Sequence, residues 1–344
     1  MIKKENPHKI TVHDVAKKAE VSTATVSRVI NNSDTVSNDL KIRVQAVINE
    51  LGYRPNRAAH HLRSGKVKRV GVLFADIRNP FFTSVLAGIE NYLHQADYAL
   101  ILGNSNENPK IERMQLQAFL DEGVAGIILS SVANTSAQYQ QVIEAGIPIL
   151  AIDRIPDNLK VDSISINNIK AAKEATEHLI HLGHKNIAFI GGPEHISTAR
   201  LRKLGYLEAL EKIPNNKPTI ELGDFTQAGG YRATTNLLST HKNVSALLVA
   251  NNLMTLGALE AIHEKKILIP DQIALVGFDD MPWATSLQPP LTVVSQPTYD
   301  MGKIAARLLL DRIHNPDSPI QQVTLETHLI VRESCGGLNK TRYT

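Results

Sequence analysis

The sequence predicts an all-α N-terminal headpiece carrying a helix-turn-helix, followed by an α/β core of two lobes, each a doubly wound parallel sheet. Three observations carry the prediction. Residues 11–31, TVHDVAKKAEVSTATVSRVIN, hold two short helical patterns with only a tight turn between them. From Arg69 onward apolar strands alternate with helical spacings, the pattern of a parallel sheet covered on both faces. The alternation then begins a second time near Ile169.

In the first helix Thr11 supplies an N-cap, and Asp14 places a carboxylate at the positive helix end. Val12, Val15, Ala16 and Ala19 share one face, with Lys17 and Lys18 outside it. Ser22 caps the second helix, whose Val26, Val29 and Ile30 turn inward and leave Thr23, Ala24, Thr25, Ser27 and Arg28 available. Helices joined so closely cross at a steep angle, the geometry of a DNA-binding helix-turn-helix, although the spacing alone also suits a piece of an all-helical core. Ser37 caps a third helix, whose Leu40, Val44, Val47, Ile48 and Leu51 close a small core before Gly52 stops it. Beyond it, Pro55 makes Arg54 extended and opens a short helix from Asn56 to about Arg63. So short a helix forms only against a partner, and a flexible basic tether is the alternative.

The first lobe is expected to run through a strand at 70–75, a helix near 81–96, a strand at 99–102, a helix near 111–120, a strand at 126–129, a helix near 137–145 and a strand at 148–152. The second takes a helix near 169–181, a strand at 187–190, helices near 199–211 and 228–238, a strand at 246–249, a helix at 254–265 and a strand at 273–278. A late helix near 301–313 reads as one returned to the first lobe, and 325–331 as the last strand. Ligand is expected in the crevice at the strand carboxyl ends.

With 344 residues, 43% hydrophobic and 21% charged, the chain has the composition of an ordinary soluble protein of two or three units. No apolar run approaches about 18 residues, and MIKKENPHKI is no secretory signal, so a cytoplasmic protein without membrane contact is expected. Cys335 is the only cysteine, which excludes an internal disulfide and a multi-cysteine metal site. The net charge of +3 is uneven: through Lys66 it is about +6, and over the rest about −3. A basic end on a mildly acidic body suits contact with phosphates. There is no P-loop, no G-x-G-x-x-G after a strand, no G-x-S-x-G elbow and no H-E-x-x-H site. No enzyme activity, cofactor, metal or catalytic residue is therefore expected.

Asp76, Asn79, Phe81 and Phe82 follow the first strand, and Asp153 and Arg154 follow the fourth. Thr198 and Arg202 open a helix after Gly191-Gly192-Pro193, while Phe225, Asn251 and Asp279 sit at other strand ends. Carboxylates and an Arg fork match paired hydroxyls, and flat aromatic faces match C–H surfaces, so the set suits a sugar. Singly, each of these residues is more often a cap or a surface charge.

Thr11-Val12-His13-Asp14-Val15-Ala16, Val21-Ser22, Ala24-Thr25-Val26-Ser27-Arg28-Val29 and Leu51-Gly52-Tyr53-Arg54-Pro55-Asn56 together resemble the headpiece motif of the lactose/galactose repressor (LacI/GalR) family, with the similarity running to about Glu333. The resemblance implies a periplasmic-binding-protein-like core whose chain crosses between lobes three times. It divides the chain into a headpiece at 1–54, a hinge helix and linker at 55–67 and a core at 68–344, with lobe 1 about 68–165 and 298–324 and lobe 2 about 166–297 and 325–337. DNA contacts fall on Thr11, Ser22, Thr23, Ala24, Thr25, Ser27, Arg28, Asn31, Tyr53, Asn56, Ala59, Leu62 and Arg63, with Leu62 as a wedge in the minor groove. Asp153, Arg202, Asn251 and Asp279 match effector positions, whereas Asn251-Asn252 and Asn167-Asn168 depart from the family's usual Asn-Asp and Asp-Asn. Gly192-Pro193-Glu194-His195 with Thr198-Ala199, and the stretch from Gln296 to Lys303, resemble the ribose-type regulators; the second stretch falls at a lobe crossing and speaks to ancestry rather than directly to ligand, and Gln296 completes the expected effector set. The expected protein is a homodimeric repressor of a carbohydrate-utilisation operon that binds pseudo-palindromic double-stranded operator DNA and responds to a small sugar, ribose or similar. A sugar-acting enzyme or a transport binding protein on the same two-lobed fold is the rival reading. The tail GGLNKTRYT holds no heptad repeat, so a dimer and not a tetramer is expected.

Overall fold

A computed structural model describes residues 11–30, 36–51, 68–133, 135–214 and 217–336. The chain divides into two compact units, Met1–Val67 and Lys68–Thr344. In the first, α1 (Val12–Lys18), α2 (Thr23–Ile30) and α3 (Asn38–Leu51) surround Val15, Ala16, Ala19, Val26, Val29, Val44, Val47 and Ile48, the positions that the helical spacing marks as inward. Val36 joins them from the segment before α3. The Asp14 carboxylate accepts both the Thr11 N–H and its hydroxyl at 2.7 Å, and the Ser22 hydroxyl accepts the Thr25 N–H at 3.1 Å, so each of the first two helices has a defined start.

The second unit holds two six-stranded sheets. The first takes β1 (Arg69–Phe74), β2 (Ala99–Asn104), β3 (Gly126–Leu129), β4 (Ile149–Ile152), β5 (Asp162–Ile166) and β11 (Gln322–Leu325) in the order β11-β5-β4-β3-β1-β2, all parallel. The second takes β6 (Ile187–Gly191), β7 (Thr219–Leu222), β8 (Ala246–Val249), β9 (Ala274–Phe278), β10 (Thr292–Ser295) and β12 (His328–Ile330) in the order β12-β10-β9-β8-β6-β7. Only β12 breaks the parallel rule, lying antiparallel to β10, so the second sheet is mixed. The chain therefore passes between sheets after β5, after β10 and after β11. Helices cover both faces: α4 (Pro80–Gln95), α5 (Pro109–Asp121), α6 (Gln140–Glu144) and the late α11 (Thr298–His314) on the first sheet, and α7 (Asn168–His181), α8 (Ser197–Leu210), α9 (Gln227–Thr240) and α10 (Asn252–Glu264) on the second.

The central strands β3, β4, β6, β8 and β9 are buried along their whole length, while the edges β2, β7, β11 and β12 are half-exposed, as double coverage of a sheet requires. Helix α11 returns to the first lobe and crosses α4 with glycines in close contact. A Cβ on Gly88 would lie 2.1 Å from the Tyr299 carbonyl oxygen, and one on Gly302 would lie 2.0 Å from that of Val85. The structure corrects the sequence reading at several elements. The expected strand at 325–331 is two strands in different sheets, with the third crossing between them. The helix expected at 137–145 begins as a 3₁₀ turn, Ser136–Tyr139, before α6. Strands β5, β7 and β10 had no sequence counterpart, because polar residues interrupt or flank the apolar ones in DSISI, TIEL and TVVS, so none reads as a continuous apolar run. Among the described residues no helix is long and apolar enough to cross a membrane.

Candidate functional site

The carboxyl ends of both sheets open on one cleft. It is lined by Asn79, Phe81, Phe82, Asp153 and Arg154 from the first lobe, and by Thr198, Arg202, Phe225, Asn251, Asp279 and Gln296 on or at the edge of the second. Every residue that the sequence places in the effector set thus lies on this lining except Asp76. That carboxylate is taken by Arg78, two residues on, at 2.9 Å to each oxygen, and the pairing outweighs its partial burial to hold its pKa below the usual carboxylate value.

Helix starts fix several of these side chains. Asn79 caps α4 by accepting the Phe81 N–H at 2.9 Å, and Asn251 caps α10 by accepting the Met254 N–H at 2.8 Å. Asn251 also donates to the Phe225 carbonyl at 3.1 Å. Asp153, Phe225 and Asp279 all adopt positive φ, at 63°, 63° and 72°. For a bulky Phe that conformation is strained, and three such residues around one cleft mark a surface built for use. Gly192 makes room for Phe225, since a Cβ there would lie 2.3 Å from its ring.

Four buried charges face the cleft. Arg154 donates to both Glu107 oxygens at 2.7 and 2.8 Å and lies 5.9 Å from the Phe82 ring and 5.2 Å from that of Phe225. Burial opposes its charge, but the carboxylates of Glu107 and Asp153 prevail and raise its pKa. Arg202 stacks 4.3 Å over Phe278 and donates through Nε to Asn168 at 2.7 Å and through Nη1 to the Ala250 carbonyl at 2.6 Å. With neutral partners only, burial wins and its pKa is lowered, Asp279 and Asp153 opposing the shift from a distance. Burial pushes Asp153 up to about 6 against the pull of Arg154 and Arg202. Asp279 is raised by burial too, against Arg202 and the Gln296 amide that donates to it at 2.6 Å. Two buried polar atoms on the lining, Arg154 Nε and Gln296 Oε1, have no hydrogen-bond partner in the protein. One is a donor and the other an acceptor, the complement that a hydroxyl supplies. Glu107, Asn168 and Asn252, which donates across the lobes to Asn79 at 2.8 Å, were absent from the sequence-derived set. Glu107 and Asn252 obey the strand-end rule, standing three residues past β2 and β8, and could have been found by it; Asn168 stands two residues past β5, a strand the sequence did not show.

In the headpiece Thr11, Ser22, Ala24 and Arg28 are exposed and Thr23 and Thr25 half-exposed, although the Ser22 and Thr25 hydroxyls bond each other at 2.9 Å. The Ser27 and Ile30 side chains, Asn31, Tyr53, Asn56, Ala59, Leu62 and Arg63 lie outside the described residues. Among the described residues no group of three His, Cys, Asp or Glu is placed to hold a metal.

Residues 67–332 match the family described as periplasmic binding proteins and sugar binding domain of LacI family, and residues 11–56 match bacterial regulatory proteins, lacI family. A ribose operon repressor from Halalkalibacterium halodurans is 34% identical over 95% of this chain and 97% of its own length. Catabolite control protein A from Priestia megaterium is 35% identical over 91% of this chain and 96% of its own. Among solved structures, the Lac repressor dimer bound to operator and the anti-inducer ONPF aligns with a TM-score of 0.86 at 28% identity, covering 95% of this chain and 99% of that one.

Proposed function

The chain belongs to the lacI family of bacterial regulatory proteins, and on that premise we propose that it is a cytoplasmic, homodimeric repressor of a carbohydrate-utilisation operon, released or engaged by a small neutral sugar in the cleft. The observation that carries the sugar is the pair of buried atoms without a hydrogen bond, Arg154 Nε and Gln296 Oε1, flanked by the Asp153 and Asp279 carboxylates and the Phe81, Phe82 and Phe225 rings. Hydroxyls donate and accept in one group, and aromatic faces take C–H surfaces. Its two arginines face the carboxylates of Asp153, Asp279 and Glu107, so no excess positive charge calls for an anionic ligand, which favours an uncharged sugar. D-ribose is the first choice, on the stretches from Gly192 to Ala199 and from Gln296 to Lys303 and on the name of the ribose operon repressor relative. The effector set carries over as contacts to this sugar, Asp76 excepted.

Within this reading residues 1–54 are the DNA-binding headpiece, residues 55–67 the hinge that meets its twin, and the remainder the sensing and dimerising core. The site binds rather than turns over, as the relatives are regulators. The test is enrichment of bound duplexes from a random pool, followed by affinity measurements with and without D-ribose. Two inverted half-sites and a sugar-dependent affinity are expected; turnover of the sugar, or no sequence preference, would overturn the reading. Exposed Arg28 should read a guanine, since its fork matches O6 and N7. Arg28→Ala is expected to weaken binding by about 1–3 kcal/mol at one half-site position, whereas Lys17→Ala lowers affinity on all sequences alike.

A further inference from the structure

We propose that Asn168 is a positioning residue that aims Arg202 into the cleft and ties it to the first crossing between the lobes. The inference rests on the reading of the cleft as a sugar site. Asn168 is buried and is the first residue of α7, directly after the chain leaves β5 for the second sheet. Its Oδ1 accepts the Arg202 Nε–H at 2.7 Å, and its Nδ2 donates to the carbonyl of Ile166, the last residue of β5, at 3.4 Å. One amide therefore grips both the arginine and the backbone of the crossing.

A guanidinium has five N–H donors in one plane, so fixing its orientation decides which of them face a ligand. The plane is set by the Phe278 ring beneath it, and rotation within the plane by the two bonds to Asn168 and to the Ala250 carbonyl. Those bonds engage Nε and one Nη, leaving the other Nη for the cleft that Arg202 lines. Without the Asn168 acceptor, a buried Nε–H loses its partner and the fork turns to find another. Asp279 shows the same plan at the second crossing, where Gln296 donates to its carboxylate. Each lobe-2 charge in the cleft is thus held by an amide standing where the chain changes lobe. A sugar that binds Arg202 bears through Asn168 on the segment whose geometry differs between arrangements of the lobes, which is how binding biases such an arrangement.

The experiment is calorimetric titration of the full-length chain with D-ribose and a panel of other neutral pentoses and hexoses, alongside thermal melting. Asn168→Ala is expected to weaken binding by about tenfold or more. Asn168→Asp keeps the acceptor for Nε and is expected to return affinity to within about threefold of wild type. Asn167→Ser keeps the helix cap next door, where Asn167 accepts the Lys170 N–H, and should leave affinity unchanged. If Asn168→Ala does not fold, Asn168→Ser, whose hydroxyl falls short of Nε, carries the same comparison. Unchanged affinity in Asn168→Ala or Asn168→Ser, or no recovery in Asn168→Asp, overturns the positioning role. If the wild type binds no sugar of the panel, it is the sugar reading that has failed.

Discussion

Arg154 and Arg202 come from opposite lobes, line the same cleft and are both buried, at 6% and 4% exposure, yet their pKa values move in opposite directions. Arg154 has its charge matched within its own lobe by a two-pronged bond to Glu107. Arg202 has only neutral acceptors at hydrogen-bond distance, and its compensation comes from Asp279 and Asp153, the latter in the other lobe. The first is a finished structural pair with one nitrogen to spare. The second is a cation whose environment is completed across the cleft, so it should respond to ligand and to lobe arrangement more strongly than Arg154 does.

The largest effect should therefore follow Arg202→Leu. Removing the cation leaves Asp279 and Asp153 buried beside each other's field, and breaking a buried charge constellation costs about 3–5 kcal/mol. Protonation of Asp279 softens the loss, so the lower end is expected for melting, while sugar affinity should fall by about 100-fold with the lost charged hydrogen bonds. Glu107→Gln should do the reverse in proportion: about 1–3 kcal/mol of stability, with only a few-fold loss of affinity, because Arg154 keeps its place between Phe82 and Phe225. Melting curves and calorimetry on both variants decide the matter. Equal affinity losses would show that the two arginines do the same work.

This asymmetry could not be read from the sequence, although the two arginines could. Arg154 and Arg202 are legible because each stands just past the carboxyl end of a strand or at the opening of the next helix, where doubly wound folds put their ligands. The strands themselves are legible wherever both faces are buried, as in GIIL and ALLV, and are lost where short polar residues fill a covered position, as in DSISI. Partners at long range are a different matter. Glu107 reaches Arg154 across 47 positions, and Asn168 reaches Arg202 across 34, distances over which no periodicity carries information. Asp76 was misplaced for the opposite reason: a competitor two residues away, Arg78, is closer than the cleft, and strand-end position alone does not weigh such local capture. The break between β11 and β12 was hidden because LETHLIV is apolar enough to read as one strand, and only the sheets decide that its halves part.

The smallest expected effect is a pH dependence, and it sharpens the comparison because it involves both arginines. Burial pushes Asp153 up to about 6; Arg154 and Arg202 pull it down, while Asp279 and Glu107 push it up further. An ionised carboxylate can accept two hydroxyls; a protonated one gives up part of that capacity. Sugar affinity should be flat above about pH 7 and decline as pH falls through about 6, by no more than about tenfold per unit for one proton. Stability should respond with the opposite sign. A carboxyl whose folded pKa lies above its unfolded value binds more protons when folded, so its contribution is fully present below the unfolded value and is lost as pH rises through about 6. Acidification from about pH 7 to about pH 5 should thus weaken sugar binding while this group's share of core stability increases. In Glu107→Gln the upward push from Glu107 is gone and Arg154 turns to Asp153 as its remaining carboxylate, 3.8 Å away, so the affinity midpoint should move to lower pH. Calorimetric titrations between about pH 5 and about pH 8 on both proteins measure the two midpoints. A midpoint in Glu107→Gln at or above that of the wild type would mean that Arg154 is not the charge that governs Asp153, and that the first lobe is as open to compensation across the cleft as the second.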